Sequence, residues 1–161
     1  WKKVGYSTTV KPDKYDSTVL YGLEAGKYRL ALKTPKDQII NVEYTRDKSK
    51  KKAAYKKSKA IHLKSDIDSI YTSTEKAARW YKVSVSSTKK RKAVTLSKDS
   101  VGGGFKFCVY QKGKRLKTVK VTKNDKVKTV KLPKKKGAYY VKVTKLTSKT
   151  TGAYYLGTYT Y

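Results

Sequence analysis

Hydrolysis by a Ser/His/Asp relay needs an imidazole, and His62 is the single histidine of the chain. It stands in the run AIHL amid lysines, and no Ser has the glycine-flanked context of a nucleophile elbow. His62 therefore reads as a surface or half-buried strand histidine. Asp66 and Asp68 form a D-x-D that would interest a hard cation. Calcium, however, wants roughly six or more oxygens, and the rest of an EF-type loop is absent. A turn between strands accounts for the pair, and no metal is expected. The run Gly102-Gly103-Gly104 lacks the Gly-Lys-Ser/Thr of a phosphate loop and enters a strand pattern, so it reads as a flexible hairpin connection. Cys108, in FKFCVYQ, faces opposite to Phe105, Phe107 and Val109. With no second cysteine and no neighbouring histidine it reads as an ordinary strand thiol. No catalytic residues and no cofactor are expected.

What remains is lysine interleaved with tyrosine. The 161 residues carry 41 Lys and Arg against 11 Asp and Glu, a net charge of +30, and arginine is confined to Arg29, Arg46, Arg79, Arg91 and Arg115. Lysines are strongly hydrated point charges, suited to attracting polyanions rather than to bidentate readout. That charge and a mean hydropathy of −0.76 push toward disorder. Against it stand 12% aromatics, with 15 tyrosines, and repeated strand patterns. No apolar run is long enough for a membrane helix. The chain begins at Trp1 and holds no Met, as a mature terminus or a cut would.

The elements that must position these residues are strands. In residues 131–161, Tyr139, Val141 and Val143 alternate with Tyr140, Lys142 and Thr144, a period-2 pattern with one face apolar. Tyr154 and Leu156 continue the inward face, with Tyr155 and Tyr159 outward. Ala60–Leu63, Ser69–Thr72, Trp80–Val85, Ala93–Leu96, Phe105–Tyr110, Leu116–Val121 and Val127–Leu132 are further strand-like runs at close spacing, which implies a sandwich or barrel. Glu75–Trp80 is read as a short helical turn. The fold class is an all-β, jelly-roll-like antiparallel β-sandwich.

Toward the N-terminus, strand candidates fall near Val4–Val10, Thr18–Tyr21, Lys27–Leu32 and Ile39–Thr45. Sliding the sequence by 111 positions pairs Lys3 with Lys114, Val10 with Val121, Thr18 with Thr129, Val19 with Val130, Gly26 with Gly137 and Tyr28 with Tyr139. A weak tandem repeat results. Residues 1–46 are thus expected to be the C-terminal half of a preceding sandwich, packed on the main one. Residues 47–59, of which DKSKKKAAYKKSK is the lysine-rich text, form a solvated linker. Residues 60–161 are the complete domain.

The order TEKAARWYKVSV, FKFCVYQKGKRLK, LPKKKGAYYVKV, TGAYYL resembles the bacterial pre-peptidase C-terminal domain family over about residues 53–161. Its members commonly show a D-W-Y strand and a G-x-Y-Y-hydrophobic-x-V strand. The resemblance implies a jelly-roll-like sandwich on a secreted bacterial protein, often beside a peptidase, and similar to the collagen-binding modules of clostridial collagenases. Arg79 stands where the family's Asp precedes Trp80-Tyr81, and the acidic N-terminal cluster of calcium-binding members is not evident.

If the last two strands form a hairpin centred near Ser148, Lys142 lies across from Tyr155, and Tyr140 lies diagonal to Tyr159. Tyr140, Lys142, Tyr155 and Tyr159 are the candidate ligand-binding residues, with aromatic planes for sugar rings or polypeptide and lysines for anionic groups. The leading reading is a non-catalytic extracellular module binding an anionic polysaccharide or cell-wall polymer. A protein-binding, collagen-like accessory module is the second. Nucleic-acid binding is the third and would be non-specific, because RNP, zinc and helix-turn-helix signatures are absent.

Overall fold

A computed structural model describes residues 26–33, 42, 53–64, 66–71, 75–122, 124–148 and 150–161. After one 3₁₀ turn at Lys57–Lys59, the described residues form β1 (Ile61–His62), β2 (Ile67–Tyr71), β3 (Arg79–Val85), β4 (Lys92–Gly102), β5 (Phe105–Gln111), β6 (Lys114–Val121), β7 (Val127–Lys131), β8 (Gly137–Lys145) and β9 (Thr151–Thr160). A five-stranded sheet has the order β1-β3-β8-β5-β6 and a four-stranded sheet the order β2-β9-β4-β7. Every pairing is antiparallel except the short β1 on β3. The architecture is the all-β sandwich expected from the alternation.

Alternation explains which side chains meet between the sheets. On β3, Tyr81, Val83 and Val85 are buried while Trp80, Lys82 and Ser84 are half-buried. On β8 the buried set is Tyr139, Val141 and Val143. These residues meet Tyr71, Val94, Leu96, Tyr154 and Leu156 from the four-stranded sheet in one core. Each fully buried Val, Leu or Phe contributes roughly 1.5–3 kcal/mol.

Tyrosine supplies an unusual share of that core, and its hydroxyls find partners inside it. Tyr71 Oη donates to the Ala77 carbonyl at 2.8 Å and lies 3.1 Å from that of Val143. The hydroxyls of Tyr81 and Tyr154 contact each other across the two sheets. Phe105 and Tyr154 pack with ring centroids 5.0 Å apart.

The final two strands do not form a hairpin. β8 is paired on both sides, with β3 and with β5, so no edge remains for β9, which joins β2 and β4 in the other sheet. The connection arches across the end of the sandwich, with Leu146 N–H donating to the Gly104 carbonyl at 2.8 Å and Gly104 N–H to Thr150 Oγ1 at 3.2 Å. The glycine run corrects in the same way. β4 and β5 lie in different sheets, so Gly103-Gly104 is a second arch beside the first rather than a hairpin. A Cβ on Gly104 would collide with the Val121 carbonyl, so close backbone approach requires glycine there.

Three other expectations change. Glu75 to Ala78 form no helical turn, and Arg79 already belongs to β3. Asp68 lies in β2 rather than in a turn, because Ile67 is buried opposite Leu156 and brings the strand start forward. The strand expected at Lys27–Leu32 is irregular, with Tyr28, Leu30 and Leu32 exposed. Tyr28 thus differs in burial from Tyr139, the residue aligned with it at an offset of 111 positions. Of the lysine segment, residues 53–59 lie on the sandwich, with Ala54 buried and its carbonyl accepting from Trp80 N–H at 2.8 Å. The remaining readings on residues 1–25, 34–41 and 43–52 lie outside the described residues.

Burial raises the pKa of Tyr154 above the ordinary tyrosine value, joined by the Tyr81 hydroxyl beside it. Burial raises Tyr71 likewise, with the Glu75 carboxylate adding to it. A folded-state pKa above the unfolded one favours folding fully at pH values below about 10, and that contribution is lost as pH rises from there through the folded-state values. The part of the tyrosinate absorbance that belongs to Tyr71 and Tyr154 is therefore expected only together with loss of near-UV circular dichroism. Full ionisation with native dichroism retained would contradict this.

Candidate functional site

Alternate residues of the five-stranded sheet face away from the core and build an aromatic and lysine surface. In register, Trp80 of β3 lies beside Lys142 of β8, which lies beside Cys108 of β5. The next row is Lys82, Tyr140 and Tyr110. The Trp80 and Tyr110 rings are 5.6 Å apart at 45°, and Lys142 Nζ lies 5.5 Å from the Trp80 ring centroid. Lys57, from the 3₁₀ turn, places Nζ 4.7 Å from the Tyr140 ring centroid. Lys106 and Lys120, paired with one another, extend the surface across β5 and β6. None of the five strands of this sheet contains Asp or Glu.

Tyr155 and Tyr159 lie elsewhere. They project from β9 on the outer face of the four-stranded sheet, 44% and 47% exposed. The four residues named from sequence are thus two pairs on opposite sides of the sandwich. Tyr140 and Lys142 share one face, and Tyr155 and Tyr159 the other. Between the second pair runs a shallow groove of about 360 Å³ with Gly157, Thr95 and Thr129 in its floor and Asp66 in its wall. Gly157 and Thr129 flank Thr95 in register, and Thr95 Oγ1 lies 3.0 Å from Thr129 Oγ1. The Asp66 carboxylate packs where a Cβ on residue 157 would stand. At the far end Tyr159 and Tyr161 are 5.8 Å apart, with Lys131 Nζ 5.2 Å from the Tyr161 ring centroid.

The other singled-out residues have structural settings. His62 is exposed on β1 in register with Lys82. Cys108 Sγ lies 3.3 Å from Thr118 Oγ1. Arg79, the residue before Trp80-Tyr81, is buried and bidentate to Glu75, with Nε to Oε1 at 2.8 Å and Nη2 to Oε2 at 2.6 Å, and its guanidinium stacks 4.2 Å from the Tyr71 ring centroid. Burial works against that charge, but the Glu75 hydrogen bonds and neighbouring hydroxyls outweigh it, so the pKa is raised. Among the described residues no three or more His, Cys, Asp or Glu gather as a metal site would need. Among them, too, no helix is long and apolar enough to cross a membrane.

Sequence reasoning missed Trp80, Lys82 and Tyr110 as companions of Tyr140, and Thr95, Thr129 and Asp66 as companions of Tyr155. Strand alternation shows that Trp80 and Tyr110 point outward, each on its own strand. Which strands are neighbours is not written in the alternation.

No protein-family model matches the chain, and no curated protein matches it. Among solved structures, it matches the pre-peptidase C-terminal domain of a collagenase from Bacillus anthracis at a TM-score of 0.47 and 17% identity, covering 62% of this chain and 92% of that one. A family 35 carbohydrate binding module from an environmental isolate matches at a TM-score of 0.41 and 17% identity, covering 55% of this chain and 70% of that one.

Surface residues of a sheet carry little of its stability. Replacing Tyr155 and Tyr159 by Ser, one at a time, is expected to change unfolding free energy by no more than about 1 kcal/mol each, measured by denaturant titration. A loss of several kcal/mol would make these rings structural.

Proposed function

We propose that this chain is a non-catalytic, extracellular accessory module of a secreted or surface bacterial protein, holding an anionic polysaccharide or cell-wall polymer on the outer face of its five-stranded sheet. The observation that carries the reading is the pairing of a row of aromatic rings with outward lysines on a sheet whose strands contain no acidic residue. Tyr140 and Lys142 lie at the centre of the site, with Trp80, Lys82 and Tyr110 around them. Rings lie against the polymer's apolar edges while ammonium groups attract its sulfate, phosphate or carboxylate groups. Point charges on flexible stems tolerate variable spacing of the anions, which suits a repeating polymer better than a single epitope.

Heparin is a suitable first probe. Its affinity is expected to fall steeply with salt, and the Lys82→Ala, Lys142→Ala double variant to lower the log–log salt slope by about one per lysine removed. The loop pair Lys89→Ala, Lys90→Ala, exposed between β3 and β4, controls for the overall charge. An equal effect from the loop pair would show that net charge and not this face binds the polymer. Binding insensitive to salt would favour the protein-binding reading instead.

A further inference from the structure

The groove on the four-stranded sheet differs in kind from the lysine face. In a chain of net charge +30, the described residues that line it include no lysine or arginine, and the charged group among them is the Asp66 carboxylate, with Lys131 beyond the Tyr159 end. Its remaining surface is hydroxyls and aromatic rings. Thr95, Ser97, Thr129 and Thr158 offer donors and acceptors, and Tyr155 and Tyr159 rise at either end. Four residues along one strand separate the two tyrosines by about 13 Å. Gly157, midway between them, lies beneath the Asp66 carboxylate, which stands where a Cβ would be, so a side chain there would displace Asp66. A volume of about 360 Å³ lies at the low end of the range of small-ligand sites.

From this chemistry we infer a second binding site, for a neutral, hydroxyl-rich glycan chain, laid between Tyr155 and Tyr159 with the Asp66 carboxylate accepting hydrogen bonds from sugar hydroxyls. An anionic polymer is disfavoured here, since Asp66 would face its charges without a compensating cation among the described lining residues. A sugar ring presents an apolar face to a tyrosine ring and hydroxyls to the threonine floor, so both halves of the lining are used. The site stands on a different sheet from the lysine face and does not rest on the function proposed above.

Neutral cello-, xylo-, manno- and N-acetylchito-oligosaccharides, titrated against the full chain at raised salt and followed by backbone amide NMR, test the inference. Raised salt screens the lysines and leaves neutral contacts in place. The expected result is that at least one of these sugars shifts the amides of Thr95, Thr129, Tyr155 and Gly157. Tyr159→Ala is expected to weaken that binding about tenfold with the melting temperature retained. Asp66→Asn, which keeps the packing over Gly157, is expected to weaken it severalfold and serves as the test if Tyr159→Ala fails to fold. The inference is overturned if no neutral sugar shifts these amides, if the shifts map to the five-stranded sheet, or if oligolysine displaces the sugar and binds more tightly, which would make the groove a site for basic peptide.

Discussion

The double pairing of β8 is the constraint from which the rest of this structure follows. With β3 on one side and β5 on the other, both of its edges are committed within the five-stranded sheet over residues 139–143. The chain leaving it has no edge to fold back on. It crosses to the other sheet instead, where β9 takes an equally central place between β2 and β4. The two arches hydrogen-bond to each other, Gly104 with Leu146 and Thr150, so both crossings hold one end of the sandwich closed. Because β8 and β9 each carry tyrosine on both faces, that separation also distributes the rings. Tyr139 and Tyr154 meet in the core, while Tyr140 and Tyr155 end on opposite surfaces.

A core rich in tyrosine needs polar closure, and it has it. The contact between the Tyr81 and Tyr154 hydroxyls joins the sheets at their centre, and Tyr71 is tied to the backbone at Ala77 and Val143. Buried hydroxyls are costly without partners and specifying with them. The Arg79–Glu75 pair beside Tyr71 extends the same principle to a full charge at the margin of the core. The buried guanidinium is thus accommodated by one acid four positions earlier.

Charge is divided between the sheets. Four of the five strands of one carry lysine and none carries acid, whereas in the other Asp68 of β2 and Asp99 of β4 accompany Lys92, Lys98, Lys128 and Lys131, and β9 has no charged residue. Fields of like charge on one face repel within the folded state and attract counter-charged polymers from outside. An uncharged aromatic strand on the opposite face answers to different chemistry.

The sequence by itself determined the strand content, the inward set Tyr139, Val141, Val143, Tyr154 and Leu156, and the outward direction of Tyr140, Lys142, Tyr155 and Tyr159. These are local facts, since alternation at period 2 assigns each side chain to a face of its own strand. It also carried the resemblance of residues 53–161 to a known β-sandwich family. Only the tertiary structure decided which strands are neighbours, and with that the site. A polar turn such as residues 146–150 reads alike whether it closes a hairpin or arches between sheets. The difference is made by which backbone edges are already taken, a property of the assembled sheet. Thus Trp80 and Tyr110 joined Tyr140 and Lys142, while Asp66, Thr95 and Thr129 joined Tyr155 and Tyr159. They come from strands far apart in the chain, brought together by hydrogen-bond register rather than by spacing.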